Sequence, residues 1–230
     1  MTPTTRRRPA MLRRVMGRQL AVALLAATLA GLPTVLPAME AAVAEELARV
    51  QDRWAEIRYQ LPEGQQARAY AALAADVDRL LAEHPGTAEL QVWAGIVRAT
   101  QAGASGGLGA LRLVKQARAD LEAALALDPM ALQGSAYTSL GALYYQVPGW
   151  PIAFGDDAKA EWHLRRALSI DPDGLDSLYF WGDYLHEQGR DAEARRALEK
   201  ALQAAPRPGR ALADAGRREE IRRLLAQLKE

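Results

Sequence analysis

One spacing recurs three times, and it restricts the chain to paired helices. Ala117, Leu121, Ala124 and Pro129 stand 4, 3 and 5 residues apart, as do Ala160, Leu164, Ala167 and Pro172, and Ala194, Leu198, Ala201 and Pro206. Steps of three and four place residues on one face of a helix. Pro removes a donor and crowds the preceding turn, so it ends the helix. Each series is preceded by a glycine on a second periodic stretch: Gly95 after Ala94, Gly141 after Leu140, and Gly182 within Leu178-x2-Trp181-Gly182-x2-Leu185. Two helices approach closely only where one side has little side chain, and Trp181 and Leu198 then fill the remaining grooves. Gly189 supplies the turn between the two helices of the last unit.

These registers give three units, at 87–129, 133–172 and 175–206. The interval from glycine to alanine is 12 residues in the last unit, 19 in the second and 22 in the first. The second therefore holds an insertion of 7 residues around VPGWPIAFGDD (147–157), and the first holds 10 around QAGASGGLGA (101–110). Both are expected in turns, where they disturb neither helix face. Residues 39–86 read as an atypical N-terminal hairpin, with Trp54, Ile57 and Leu61 on one helix and Leu73, Val77, Leu80 and Leu81 on the other. Residues 207–230 read as a C-terminal capping helix, with Ile221, Leu224, Leu225 and Leu228 on its apolar face.

The last unit resembles the tetratricopeptide repeat (TPR), whose pattern is W-x2-L-G-x2-Y…A-x3-F…P over about 34 residues. The resemblance covers about 87–206. It implies an all-α fold, a right-handed solenoid of helical hairpins with three to four units plus the C-terminal cap. The insertion before the helix beginning near Ala158 also resembles a loop of exported TPR-like proteins such as the T-component of TRAP-type transporters. Half the residues are apolar, only 2 are Phe and many are Ala, which suits a helical stack.

Residues 1–38 differ from the rest. Six arginines, Arg6 to Arg18, precede an apolar run from Leu20 to Leu32 and then Pro33, Pro37 and Ala38. This is the order of a secretory signal peptide, cut after Ala38 or after Ala30; its rival is an uncleaved membrane anchor. The expected location is periplasmic or secreted, or else inner-membrane anchored with the repeats outside the cytoplasm. Without these residues the formal charge falls from +1 to −5, so nucleic-acid binding loses its support. Membrane contact is expected only through this segment. The chain has no cysteine, which excludes disulfides and thiolate metal sites.

No residue set compels a reaction. Gly103-Ala-Ser105-Gly-Gly107 matches G-x-S-x-G literally, but that motif needs a strand before the serine, and the preceding residues read as helix. Asp171-Pro-Asp173-Gly-Leu-Asp176 has the look of a calcium loop but lacks the closing Glu. His84, His163 and His186 lack metal spacing. The Arg pairs 165–166, 195–196, 217–218 and 222–223 are expected on solvated faces. Catalytic, cofactor and metal residues are therefore none.

TPR proteins bind peptides along the face formed by the first helix of each unit. Carried onto this chain, that face includes Val92 and Ile96, then Thr138, Ala142 and Tyr145, then Asp176, Tyr179, Asp183 and His186. The 147–157 insertion adds Trp150 and Phe154. Folded back, they bury the loop; left outside, they form an anchor for a partner. The expected partner-binding set is thus Tyr145, Trp150, Phe154, Asp176, Tyr179, Asp183 and His186. The expected function is an exported adaptor for protein–protein interaction, without catalysis; the alternative is a solute-binding accessory subunit of a transporter.

Overall fold

The computed structural model describes residues 35–228 of the chain. The expected targeting segment lies almost wholly outside the described residues. Those residues form nine α-helices and no named strand: α1 (Val35–Gln60), α2 (Glu63–Glu83), α3 (Ala88–Ser105), α4 (Gly107–Leu127), α5 (Ala131–Gln146), α6 (Asp157–Ile170), α7 (Leu175–Glu187), α8 (Asp191–Leu202) and α9 (Ala211–Gln227). No described helix is long and apolar enough to cross a membrane. From Ala42 onward the chain is one compact unit. Each helix from α2 to α9 packs on the next, and α3, α5 and α7 also touch in succession.

The glycine–leucine register is the repeated joint of this stack. A Cβ added at Gly95 would lie 2.5 Å from Leu121 Cγ, at Gly141 2.6 Å from Leu164 Cγ, and at Gly182 2.6 Å from Leu198 Cγ. All three leucines are fully buried, as are Ala117, Ala160 and Ala194. Three helix pairs thus repeat one contact, in which the leucine of the second helix sits over the bare backbone of the first. Full burial of each such leucine is worth about 2 kcal/mol in transfer free energy alone.

The two insertions behave differently. Residues 101–110, expected in a turn, are helical except at Gly106. They extend α3 to Ser105 and start α4 at Gly107. Gly106 has φ 62 and ψ −173 and serves as both C-cap and N-cap. Ser105 accordingly ends a helix, and the strand–turn–helix that a nucleophile elbow requires is not formed there. Residues 147–156 do form a loop, and Asp156 caps α6 by accepting a hydrogen bond from the Lys159 N–H at 3.0 Å. At the start of α5, Leu132, Gln133 and Gly134 are left-handed, so regular helix begins at Ser135.

The last helix is more than a cap. Its apolar face places Ile221, Leu224 and Leu228 in a cluster with Leu178, Leu185 and Leu198. Its other side reaches α1. Ala213 joins the cluster of Val50, Trp54 and Ile57, and a Cβ on Gly216 would lie 2.4 Å from the Tyr59 ring. Arg58 on α1 donates to Glu220 on α9 at 2.7 Å. The final helix of the stack therefore closes against the first.

Candidate functional site

The first helices of successive pairs surround a cavity of about 720 Å³. α1 contributes Trp54 and Arg58, α3 Trp93, Ile96 and Thr100, α5 Thr138, Ser139 and Ala142, and α7 Asp176, Tyr179 and Phe180. Arg210 and Arg217, at the start of and within α9, complete the wall. The extension at 101–110 belongs to it as well, through Gly103, Ala104 and Ala110. The lining mixes aromatic and aliphatic side chains with polar and charged ones, and the volume is in the range of a ligand site.

The charged part of the wall is an ordered network. Arg217 donates to Asp176 at 2.7 Å and to Glu220 at 2.6 Å, and its guanidinium lies 4.2 Å from the Tyr179 ring centre and 4.8 Å from that of Phe180. Arg207 donates to Asp176 at 2.6 Å and to Asp214 at 2.7 Å. Burial alone would raise the Asp176 carboxyl, but Arg217 and Arg207 outweigh it and hold it below the ordinary carboxylate range. Arg217 is only 9% exposed, which corrects the expectation that the 217–218 pair lies on a solvated face. Residues of α7, α9 and the intervening turn are thereby locked to α1 through Glu220.

The expected binding residues separate into three groups. Asp176 and Tyr179 line the cavity, Asp176 with both oxygens engaged by arginines. Tyr145, Asp183 and His186 do not line it. The Tyr145 hydroxyl donates to Asp183 at 2.5 Å, and burial followed by the Asp183 charge pushes the phenol well up. His186 Nδ1 lies 2.7 Å from Asp191. The loop splits the expectation for its own aromatics. Phe154 folds back, edge-on to Tyr144 at 5.6 Å and under the Arg118 guanidinium at 4.5 Å. Trp150 stays outside, 89% exposed, and only Val147 and Pro148 of that segment reach the cavity wall.

The acidic turn after α6 does not gather its carboxylates. Asp173 pairs with Lys200 at 2.9 Å, while Asp176 faces Arg207 and Arg217. Among the described residues no group of three or more His, Asp or Glu is placed to hold a metal. His163 stacks on Tyr144 at 5.4 Å; burial, then the nearby Lys159, lowers its pKa to about 4. Trp54, Trp93 and Arg210 were not among the expected site residues. The RPGR turn at 207–210 between two helical stretches was the one available signal for Arg210, and the aromatic wall it meets lies more than a hundred residues away.

No family model matches the chain, and neither does any curated protein. Among solved structures, a thermophilic TPR protein of Thermus thermophilus is similar over 81% of this chain and 95% of its own, with TM-score 0.51 and 19% sequence identity. Together with the repeated glycine–leucine joint, this likeness shows the fold: an all-α solenoid of TPR-type helical hairpins.

Proposed function

We propose that the protein is an exported, non-catalytic TPR-type adaptor that holds a peptide segment of a partner protein in the cavity between α1, α3, α5, α7 and α9. The carrying observation is the cavity itself: about 720 Å³ bounded by the first helices of successive pairs and walled by Trp54, Trp93, Ile96, Tyr179 and Phe180. Aromatic and aliphatic walls supply binding energy, and Thr138 and Ser139 supply hydrogen bonds that fix orientation. Export rests on the basic–apolar–small order of residues 1–38.

The test is a pull-down from envelope extract with the chain and its Ser139→Trp variant. Ser139 is half-buried at the cavity wall, so the indole fills the space without displacing a core residue. A partner retained by the parent and lost by the variant supports the adaptor. One retained equally by both overturns the cavity as its site. The N-terminal residue of the exported chain, read by mass spectrometry, tests cleavage after Ala38.

A second reading, a solute-binding accessory subunit, is favoured by one observation. The Arg58–Glu220 contact joins the two ends of the stack beside the cavity, which suits a small enclosed ligand. A small-molecule library that raises the Tm of the parent but not of Ser139→Trp, with no protein retained, would replace the adaptor by this reading.

A further inference from the structure

Four guanidinium groups gather where α9 meets α1 and α7, and three of them have carboxylate partners. Arg58 is bonded to Glu220, Arg207 to Asp176 and Asp214, and Arg217 to Asp176 and Glu220. Arg210 makes no side-chain hydrogen bond and no ion pair among the described residues. Its Nε is buried without an acceptor, and its guanidinium lies 5.2 Å over the Trp93 ring centre at the cavity wall. The neighbouring Trp93 Nε1 is likewise a buried donor with no acceptor. Both unmet groups on this wall are donors. Leaving such groups unpaired is costly, most of all for a charged one.

The surrounding carboxylates do not meet this demand. Asp176 and Asp214 are the nearest in effect, but each is already hydrogen-bonded to Arg207 or Arg217. Asp52 on α1 is exposed and acts on Arg210 only at a distance. Burial, reinforced by the positive charge of Arg207, already pulls the Arg210 pKa below its usual value.

We propose that Arg210 is the anion-reading residue of the cavity: it receives a carboxylate carried on an apolar body, whose remainder lies against Trp93, Trp54 and Ile96. The inference rests on the reading of the cavity as a binding site. Either a Glu or Asp within an apolar peptide segment or a free apolar organic acid presents this chemistry. A carboxylate supplies acceptors in the fork geometry of a guanidinium, and the Trp93 face keeps that guanidinium oriented.

The experiment uses two pools of capped pentapeptides on the full chain. Both have Leu, Phe, Trp or Ala at the outer four positions, one with Glu at the centre and the other with Gln. A parallel arm compares phenylacetate with phenylacetamide by shift in Tm. The expected result is at least about tenfold preference for the Glu pool, the scale of one charged hydrogen bond. That preference should vanish in Arg210→Gln and persist in Arg210→Lys. Arg210 makes no side-chain hydrogen bond, so both variants should fold, and Arg210→Lys against the parent decides the matter if Arg210→Gln does not. Equal retention of the pools, or a preference unchanged in Arg210→Gln, overturns the proposal. If no peptide binds while phenylacetate stabilises the parent and not Arg210→Gln, the anion site stands and the peptide-adaptor reading fails. If no probe binds in either arm, the proposal falls.

Discussion

The three glycine–leucine helix pairs and the closure by α9 solve the same problem with opposite chemistry. In the stack, each joint is a buried leucine over a glycine backbone, with alanines on either side. In the closure, α9 faces α8 with apolar residues but adds charged ones to Ala213 and Gly216 on the side toward α1 and the cavity: Asp214, Arg217 and Glu220 are all buried. A leucine joint holds by volume, so any neighbour of the right shape satisfies it. An ion network holds only when every member has its partner, so it selects one arrangement and tolerates no deletion.

The largest effects should separate these two regions by where they act. Leu164→Ala leaves a cavity beneath Gly141 and should cost about 3 to 4 kcal/mol of global stability, read by denaturant unfolding. Arg217→Ala takes one of two arginine partners from each of Asp176 and Glu220, leaving Arg207 and Arg58 with them, and should cost about 2 to 3 kcal/mol. Its signature is local: hydrogen exchange should accelerate across 211–227 while 133–172 stays protected. The comparison would break if Arg217→Ala loosened all helices equally. It sharpens with the quadruple change Arg58→Met, Arg217→Met, Asp176→Asn, Glu220→Gln, which removes these charges together, leaves Arg207 its partner Asp214 and should recover part of that loss.

Acid should act on the two regions in different windows. Asp176 is held below the ordinary carboxylate value of 3.8 by its arginines, so its contribution is present above that pH and lost as pH falls further. His163 is held neutral in the stack, with a pKa lowered from 6.5 to about 4, so the unfolded chain gains a proton first. Stability should therefore decline as pH drops from 6.5 to 4, and His163→Phe should flatten that slope in a series of melts. The smallest effect belongs to the loop tip. Trp150→Ser removes a side chain that is 89% exposed and should change stability by less than about 0.5 kcal/mol.

The stack was legible because its joints are local in sequence. Gly182 and Leu198 are separated by 16 residues, and the same small–large register returns twice upstream. The closure was not. Arg217 and Arg218 look alike in the sequence, yet one is buried between two carboxylates and the other donates to the Ala204 carbonyl. Only the course of the intervening helices decides which is which. The site suffered the same way. Tyr179 could be placed from its position on α7, whereas Trp54 and Arg210, far apart in the chain, line one cavity only because α9 returns to α1. Residues 101–110 misled through composition. Their glycines suggest a loop, but two residues at positive φ, Gly106 and Gly107, are enough to join two long helices.

A solenoid whose ends are free can be lengthened or shortened by whole repeats, since each unit meets only its neighbours. This one cannot. With Glu220 bonded to Arg58, the first and last helices of the described residues are mutual neighbours, and the number of hairpins between them becomes a fixed dimension. Deleting or duplicating the hairpin of α5 and α6 would change the distance α9 has to span. Repeat number, ordinarily the most readily varied property of such an architecture, is here tied to the apolar and charged contacts that α9 makes with α1.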